Sequence, residues 1–569
     1  MSKYSEVKKY LDSFIDYERK CFFPYKKSLN LKRTEKLLST LNLSYRDLKV
    51  IHIAGTKGKG SCATFCAYIL AYSGYKVGLY TSPHFFDFRE RIRIVTKHKL
   101  RDTGVQRAEE IPRKTRVKDQ PAIYSYMIAK KDVVKIVEEF KLSLERLRFT
   151  KRYGKLTFFE IYTAIAFKYF REKNLDFVVL ETGLGGRLDA TNVVIPLVSI
   201  ITHIGYDHTQ TLGKGLKDIA YEKAGVIKNN ISVVSSSQRP SVLEQIKKRA
   251  KELNAPLYIL GKDFYFCKVK LNGQSTVFDF YPPSRSKRPA FSGKTTAMVV
   301  DSARGGSAFG GECGKNAAAA DVTKAACFKA DNLPKAVISE YRGHAPEMFH
   351  PLAINLFRNR GNSAGTLRTK VKLRPSLECR DQSEFCPKPV RISNLKLKLK
   401  GHHQIENASL VLAGLSILKK EGIINKNLEF KKGIKNSFIE GRFEIVKREP
   451  LIILDIAHNP SSFSALGKTI NIYFPGREII LIFAASNDKD IKNMLNKVNF
   501  KNIIVTAFNN PRSLSCYDLQ RRIGLKKTFA AKNVKEALNL GLEIYKKDSL
   551  ILAAGSFFLI AEIKKLIKR

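Results

Sequence analysis

The run Gly55-Thr56-Lys57-Gly58-Lys59-Gly60-Ser61 combines the residue types needed to hold a triphosphate. Apolar Ile51-His52-Ile53-Ala54 precedes it and an apolar run over 62–72 follows, so it reads as a strand, a glycine-rich turn and a helix start. Glycines let the backbone curl until successive N–H groups face phosphate oxygens, and the helix N-terminus adds its positive end. Lys59 would neutralise the terminal phosphates, and the Ser61 hydroxyl would sit where magnesium or phosphate binds. In the common nucleotide loop Gly-Lys is followed directly by Ser or Thr. Here Gly60 intervenes, which weakens a generic kinase or GTPase reading. Further along, Glu181 closes the apolar run Phe177-Val178-Val179-Leu180, and His208 follows another strand. Open α/β sheets bind ligands at the carboxyl ends of their strands, and a carboxylate there suits a hard cation such as magnesium. Asp455, after Leu451-Ile452-Ile453-Leu454, stands at such an edge too; its alternative role is to cap the helix that starts near Pro460.

These residues need a scaffold that alternates strands with helices, and the sequence predicts one. Short β-branched runs at 50–54, 77–81, 177–181, 198–204 and 232–235 alternate with helical stretches at 62–72 and 158–170, the pattern of a parallel sheet covered by helices. A second block has strands at 451–455, 479–483, 503–506 and 550–554 and a helix at 534–545. The expected fold class is therefore α/β, with two α/β domains in series, over 1–438 and 441–569. Residues 96–121, dense in Arg and Lys, and 282–391, rich in Gly, Ala, Ser, Pro and Arg, break the rhythm and read as insertions, since structureless loops this long are uncommon inside compact domains.

Composition narrows the class further. With 44% hydrophobic residues in 569, a large core can be buried. No apolar stretch reaches the roughly 18–20 residues that span a bilayer. The start, Met1-Ser2-Lys3-Tyr4, lacks a signal-peptide core and reads as a helix start, so a cytoplasmic chain without membrane contact is expected. Nine cysteines without paired spacing do not form a disulfide frame or a zinc site; Cys62 and Cys66 read as helix core. The formal charge of +49 invites a nucleic-acid reading, yet the cations spread over many Lys-rich helices, no recognition motif accompanies them, and the substrates can themselves be anions. No nucleic-acid partner is expected.

Taken in order, Gly55–Ser61, Tyr80-Thr81-Ser82-Pro83-His84, Glu90-Arg91-Ile92-Arg93, Thr157-Phe158-Phe159-Glu160, Glu181-Thr182-Gly183-Leu184-Gly185-Gly186-Arg187-Leu188-Asp189-Ala190-Thr191-Asn192, Asp207-His208-Thr209 and Tyr221-Glu222-Lys223-Ala224-Gly225-Val226-Ile227 form one series. His403-Gln404 with Asn407-Ala408, Gly441-Arg442-Phe443-Glu444, Asp455-Ile456-Ala457-His458-Asn459-Pro460 and Gly555-Ser556 continue it. The series resembles the folylpolyglutamate synthase and dihydrofolate synthase family of the Mur ligase superfamily. The resemblance implies a P-loop-containing Mur-ligase-type ATPase domain followed by a smaller Rossmann-like domain. It also makes Ser82, Glu181 and His208 metal ligands and Lys223 a lysine carbamylated by carbon dioxide, which could help hold the second of two magnesium ions. Residues 55–61 would hold ATP phosphates, Asn407 would face the adenine, Arg442 and Asp455 would reach ATP from the second domain, and His458 lies close to them. A packed role for His208, a surface ion pair for Lys223 and a helix start for Lys489 and Asp490 stay open.

The implied reaction adds L-glutamate to tetrahydrofolate, to dihydropteroate, or to both. A carboxylate is a poor electrophile, so ATP would first convert it to an acyl phosphate, with Lys59, His208 and modified Lys223 in the catalytic set. The enzyme would be a monomer whose partners are ATP, L-glutamate and the folate-type acid. Cell-wall Mur ligases usually carry a further domain ahead of the loop; about fifty residues precede it here, which favours the folate branch over another Mur-type amide ligase. A basic nucleic-acid-binding P-loop protein is the non-enzyme alternative, and an inactive homologue with its site blocked by the insertions is the third.

Overall fold

The computed structural model describes residues 2–17, 25–97, 123–148, 154–271, 275–283, 291–292, 378–379, 391–525 and 528–568. Its largest sheet holds β1 (Val50–Ala54), β2 (Val77–Tyr80), β3 (Ile92–Thr96), β4 (Tyr124–Met127), β5 (Phe177–Glu181), β6 (Val198–Ile201), β7 (Val233–Ser235) and β8 (Leu257–Ile259). The order is β4-β3-β2-β5-β1-β6-β7-β8. All pairings from β2 to β8 are parallel, and β3 and β4 run antiparallel at one edge.

Strands β1 and β5 are buried throughout, which is why their sequences are apolar without interruption. Their residues still divide by face. Ile51, Ile53 and Val179 join a core with helices Lys59–Tyr72 and His402–Lys420; Val50, Val178 and Leu180 join another with helices Lys130–Arg148 and Phe158–Glu172. The chain leaves β1 for β2 on one side and β5 for β6 on the other, so the carboxyl ends of β1, β5 and β6 open into one crevice.

An antiparallel sheet follows, made of β9 (Tyr265–Leu271), β10 (Thr276–Tyr281) and, beyond the two-residue pair β11 (Phe291–Ser292) and β12 (Glu378–Cys379), β13 (Ile392–Leu397), in the order β13-β10-β9. The third large sheet holds β14 (Glu444–Arg448), β15 (Leu451–Leu454), β16 (Glu478–Phe483), β17 (Asn502–Val505), β18 (Thr528–Ala530) and β19 (Ser549–Ala554), ordered β14-β15-β19-β16-β17-β18 and parallel except for β14.

Several expectations need correction. The strand expected over 198–204 ends at Ile201, because the chain turns toward the crevice and His203 O accepts N–H bonds from Thr56 and Lys57 at 3.0 and 3.2 Å. The first insertion begins later than residue 96: Thr96 is a buried end of β3 paired with Tyr124. The second contains the short β11–β12 pair; most of both segments lies outside the described residues. Each segment joins antiparallel neighbours, β3 to β4 and β10 to β13. Extra chain at a hairpin connection leaves the ladder intact, since loop-closure entropy grows slowly with length. The sheet β13-β10-β9 was not foreseen, because its third strand lies more than a hundred residues beyond the second. Helix His402–Lys420 carries His403, Gln404 and Asn407 together.

Candidate active site

The glycine-rich run leaves the end of β1 and enters helix Lys59–Tyr72 with Gly58 at the N-cap, its φ of +88°. A Cβ on Gly58 would stand 2.1 Å from Asn407 Oδ1, so the loop backbone lies directly against the Asn407 carboxamide. Asn407 is buried, and its Nδ2 donates to Gln404 Oε1 at 3.1 Å. The intervening Gly60 lies beside the Glu181 carboxylate: a Cβ there would come 3.4 Å from Glu181 Oε2, at the near edge of ordinary van der Waals contact. The extra glycine thus places the loop next to the carboxylate at the end of β5.

Glu181 is 4% exposed and accepts the Ser82 N–H at 3.2 Å. Burial pushes its carboxyl up from the usual range, against the nearby charge of Lys59 and that N–H bond. Ser61 Oγ is buried without a hydrogen-bond partner, and so is Lys57 Nζ. Lys57 is pushed down to about 8, by burial first and by Arg442, while Asp207 opposes the shift. Lys223 is buried near the end of helix Leu216–Ala224 and donates from Nζ to Gly55 O at 2.9 Å; burial and the charge of Lys59 push its amine down to about 7. The surface ion pair considered for Lys223 is therefore ruled out. Arg187 holds that helix, through Glu222 at 2.8 Å, to the Gly183–Arg187 loop, whose Gly183 and Leu184 N–H groups bond Asp189 Oδ2 at 2.9 Å each.

His208 is exposed at the rim, in a left-handed conformation (φ +50°) ahead of helix Thr209–Leu212. Asp207 points toward the C-terminal domain. Its carboxylate lies 3.8 Å from His458 Nε2, 3.8 Å from Lys489 Nζ and 3.5 Å from Asn459 Nδ2. Burial opposes its ionisation, but His208, His458 and Lys489 hold its carboxyl well below the usual range.

Across the crevice, Asp455 Oδ2 accepts the Phe443 N–H and Oδ1 the Ala457 N–H, both at 2.8 Å, so the carboxylate fastens the Gly441–Phe443 turn that carries Arg442. Asp455 does not cap the following helix: Asn459 caps Pro460–Tyr473, accepting from Ser462 N at 3.0 Å. Asp490 does start helix Ile491–Leu495 as its cap, whereas Lys489 reaches Asp207 and, at 3.1 Å, Asp488.

A cleft of 1680 Å³ lies between the domains. The structure brings Thr56, Gly58, Lys59, Gly60, Ser82, Glu181, His208 and Lys223 to one wall and Arg442 and His458 to the other. Gly55, Lys57, Ser61, Asn407 and Asp455 are outside its lining and support those that reach it. Among the described residues no three His, Cys, Asp or Glu side chains gather as a metal cluster. The donors at hand are the buried Glu181 carboxylate, the unpartnered Ser61 hydroxyl and Ser82. These are hard oxygen donors of the kind magnesium takes when water and phosphate complete its shell, so the residue types fit that ion, with the Ser61 hydroxyl just behind the cleft lining.

Sequence reasoning quoted Asp207 and Arg93 without giving either a role. A signal for Arg93 was present: a cation alternating with Ile92 and Ile94, two residues after Arg91, marks one face of a strand that has something polar to meet.

A family model described as the Mur ligase, glutamate ligase domain, matches residues 441–557. The dihydrofolate synthase/folylpolyglutamate synthase of Bacillus subtilis is 27% identical over 542 residues, covering 95% of each chain. The crystal structure of folylpolyglutamate synthase from Thermotoga maritima aligns with a TM-score of 0.64 at 27% identity, over 99% of this chain and 96% of that one. Mycobacterium tuberculosis folylpolyglutamate synthase, crystallised with ADP and AMPPCP, shares the fold at a TM-score of 0.69 and 21% identity, over 100% and 98% of the two chains.

Proposed function

The chain belongs to the folylpolyglutamate synthase/dihydrofolate synthase family, and from that premise and the geometry of the cleft we propose that it is an ATP-dependent ligase joining L-glutamate to a folate-type acid. The observation that carries the reading is the Gly58–Ser61 loop lying beside the Glu181 carboxylate at Gly60, with Arg442 and His458 facing it from the other domain. In this reading the ATPase domain spans 1–438 and the second domain 441–569, shortly before β14 opens the third sheet at Glu444.

The loop N–H groups and Lys59 would hold the β- and γ-phosphates, with Arg442 approaching from the second domain. The acceptor carboxylate attacks the γ-phosphorus, ADP leaves and an acyl phosphate forms; the glutamate amine then attacks the acyl carbon and phosphate departs. Ser61, Ser82 and Glu181 would hold magnesium, which supplies neutralisation of the phosphate charge when bound. His208 and a carbamylated Lys223 would serve a second ion. Carbamylation needs an unprotonated amine, and the buried Lys223, with its amine pushed down to about 7, supports it. Asn407, behind the loop at Gly58, would face the adenine, and Asp455 would act by fixing Arg442.

The reading includes a monomeric enzyme of the cytoplasm that handles small molecules and no nucleic acid. The buried thiols of Cys62, Cys66, Cys267 and Cys516 suit a reducing compartment. No helix of the described residues is long and apolar enough to cross a membrane.

The test is turnover of ATP with labelled glutamate, run separately on dihydropteroate and tetrahydrofolate. Incorporation into at least one acceptor is expected, with loss of about a hundredfold or more in Lys59→Ala while the fold persists. A folded wild-type protein that labels neither acceptor removes the proposal.

A further inference from the structure

Arg93 belongs to the Glu90–Arg93 motif, to which the reaction gives no task. It lies on β3 opposite Met127 of β4, and Ser125, two residues before Met127, faces the same side of the sheet. Arg93, Ser125 and Met127 all line the cleft. The guanidinium Nη2 donates to Thr81 Oγ1 at 3.1 Å, and Thr81 adjoins Ser82, whose N–H bonds Glu181. Arg93 therefore stands beside the place where the acceptor carboxylate must meet the phosphate.

Its neighbours are satisfied differently. Arg89 pairs with Asp87 at 3.2 Å, although its Nε, like that of Arg93, makes no good hydrogen bond, and Arg91 Nε donates to His84 Nδ1 at 2.8 Å. Arg93 forms no ion pair among the described residues, and its Nε is buried without a hydrogen-bond partner. Ser125 Oγ, on the adjacent strand and the same face, is also buried and unpartnered. Two unmet donors, one of them on a fixed cation, form an incomplete site for a planar anion.

We propose that Arg93, with Ser125, binds the α-carboxylate of a glutamate already carried by the acceptor, and so reads whether the acceptor has a tail. The inference rests on the ligase reading above. In a terminal glutamate the α- and γ-carboxyl carbons are about 5 Å apart by ordinary bond lengths. With the γ-carboxylate at the phosphate, the α-carboxylate is the group that a neighbouring guanidinium can clasp. Dihydropteroate has one aromatic carboxylate, which is consumed in the reaction and leaves nothing for Arg93 to hold.

The test compares kcat/KM for tetrahydrofolate with that for its α-carboxamide, identical except that the α-carboxylate charge is removed. Wild type should prefer the acid by about tenfold to a hundredfold, the scale of a charge-assisted hydrogen bond. Arg93→Met should erase the preference, Arg93→Lys should restore part of it, and Ser125→Ala should reduce it by a few-fold. The change should appear mainly in KM for the acid. Thermal melting checks the fold of each variant, and if Arg93→Met does not fold, Arg93→Lys and Ser125→Ala decide. A wild type indifferent to the amide, or an Arg93→Met enzyme that retains the preference, overturns the inference. So does a wild type that uses dihydropteroate alone, although the ligase reading then stands; a wild type inert toward every acceptor overturns the ligase reading itself.

Discussion

Asp207 of the N-terminal domain faces Lys489 of the C-terminal domain with 3.8 Å between carboxylate and ammonium. The same carboxylate is 3.8 Å from His458 Nε2 and 3.5 Å from Asn459 Nδ2, all at or beyond the limit of a good hydrogen bond. Three donors on one domain thus converge on one acceptor of the other without closing on it. A small approach of the domains would shorten all three contacts together, and nucleotide bridging the cleft would drive that approach.

Asp207→Asn is accordingly expected to lower kcat by about tenfold, the scale of one charge-assisted contact, while moving the melting temperature little. Small-angle scattering should show less ATP-induced compaction in the variant than in wild type. Equal compaction and equal kcat would dismiss Asp207 as a closing contact.

Gly58→Ala is a sharper test of the loop. The position has φ +88°, and an added Cβ would meet Asn407 Oδ1 at 2.1 Å. The backbone strain alone costs roughly 1–2 kcal/mol, and relief requires the loop to leave Asn407. Affinity for ATP, followed by titration calorimetry, should fall by at least tenfold, with a smaller loss of stability. Normal ATP binding would mean that the loop does not need this conformation.

If Lys57 meets the bound phosphates, nucleotide binding should depend on pH. Its amine, pushed down to about 8 in the folded protein, has an ordinary value of 10.5. Below pH 8 the amine is protonated in both folded and unfolded chains, and folding bears the full cost of burying the cation. That cost fades as pH rises from 8 to 10.5, where the unfolded chain holds more protons, so this group makes stability rise with pH in that window. Bound phosphate favours the ammonium and draws a proton in, so ATP affinity should weaken as pH passes above 8. In Lys57→Met both slopes should flatten, as read by melting curves and calorimetry between pH 7 and 10. An unchanged affinity profile would show that Lys57 does not sense the phosphates.

The glycine-rich loop was legible because its pattern is local: glycines, two lysines and a serine within seven residues, between a strand and a helix whose periodicities are plain. Glu181 and Asp455 were legible as strand ends for the same reason. The antiparallel sheet β13-β10-β9 was not, since β13 joins the β9–β10 hairpin across more than a hundred intervening residues. The Asp455 role was legible only as a choice between an ATP contact and a helix cap; the structure shows two backbone N–H bonds that hold the turn bearing Arg442, and Asn459 in the cap.

By itself the sequence determined the α/β class, the loop and the family, because strand alternation, glycine-rich turns and motif spelling are set by neighbouring residues. Tertiary structure alone decided that Asn407 backs Gly58, that Lys223 is buried against Gly55 and that Asp207 meets the other domain. It also placed Arg93 and Ser125 on one face with donors unmet. These are relations between residues distant in the chain, and packing, desolvation and charge act through space, so only the folded arrangement sets which side chains share a surface.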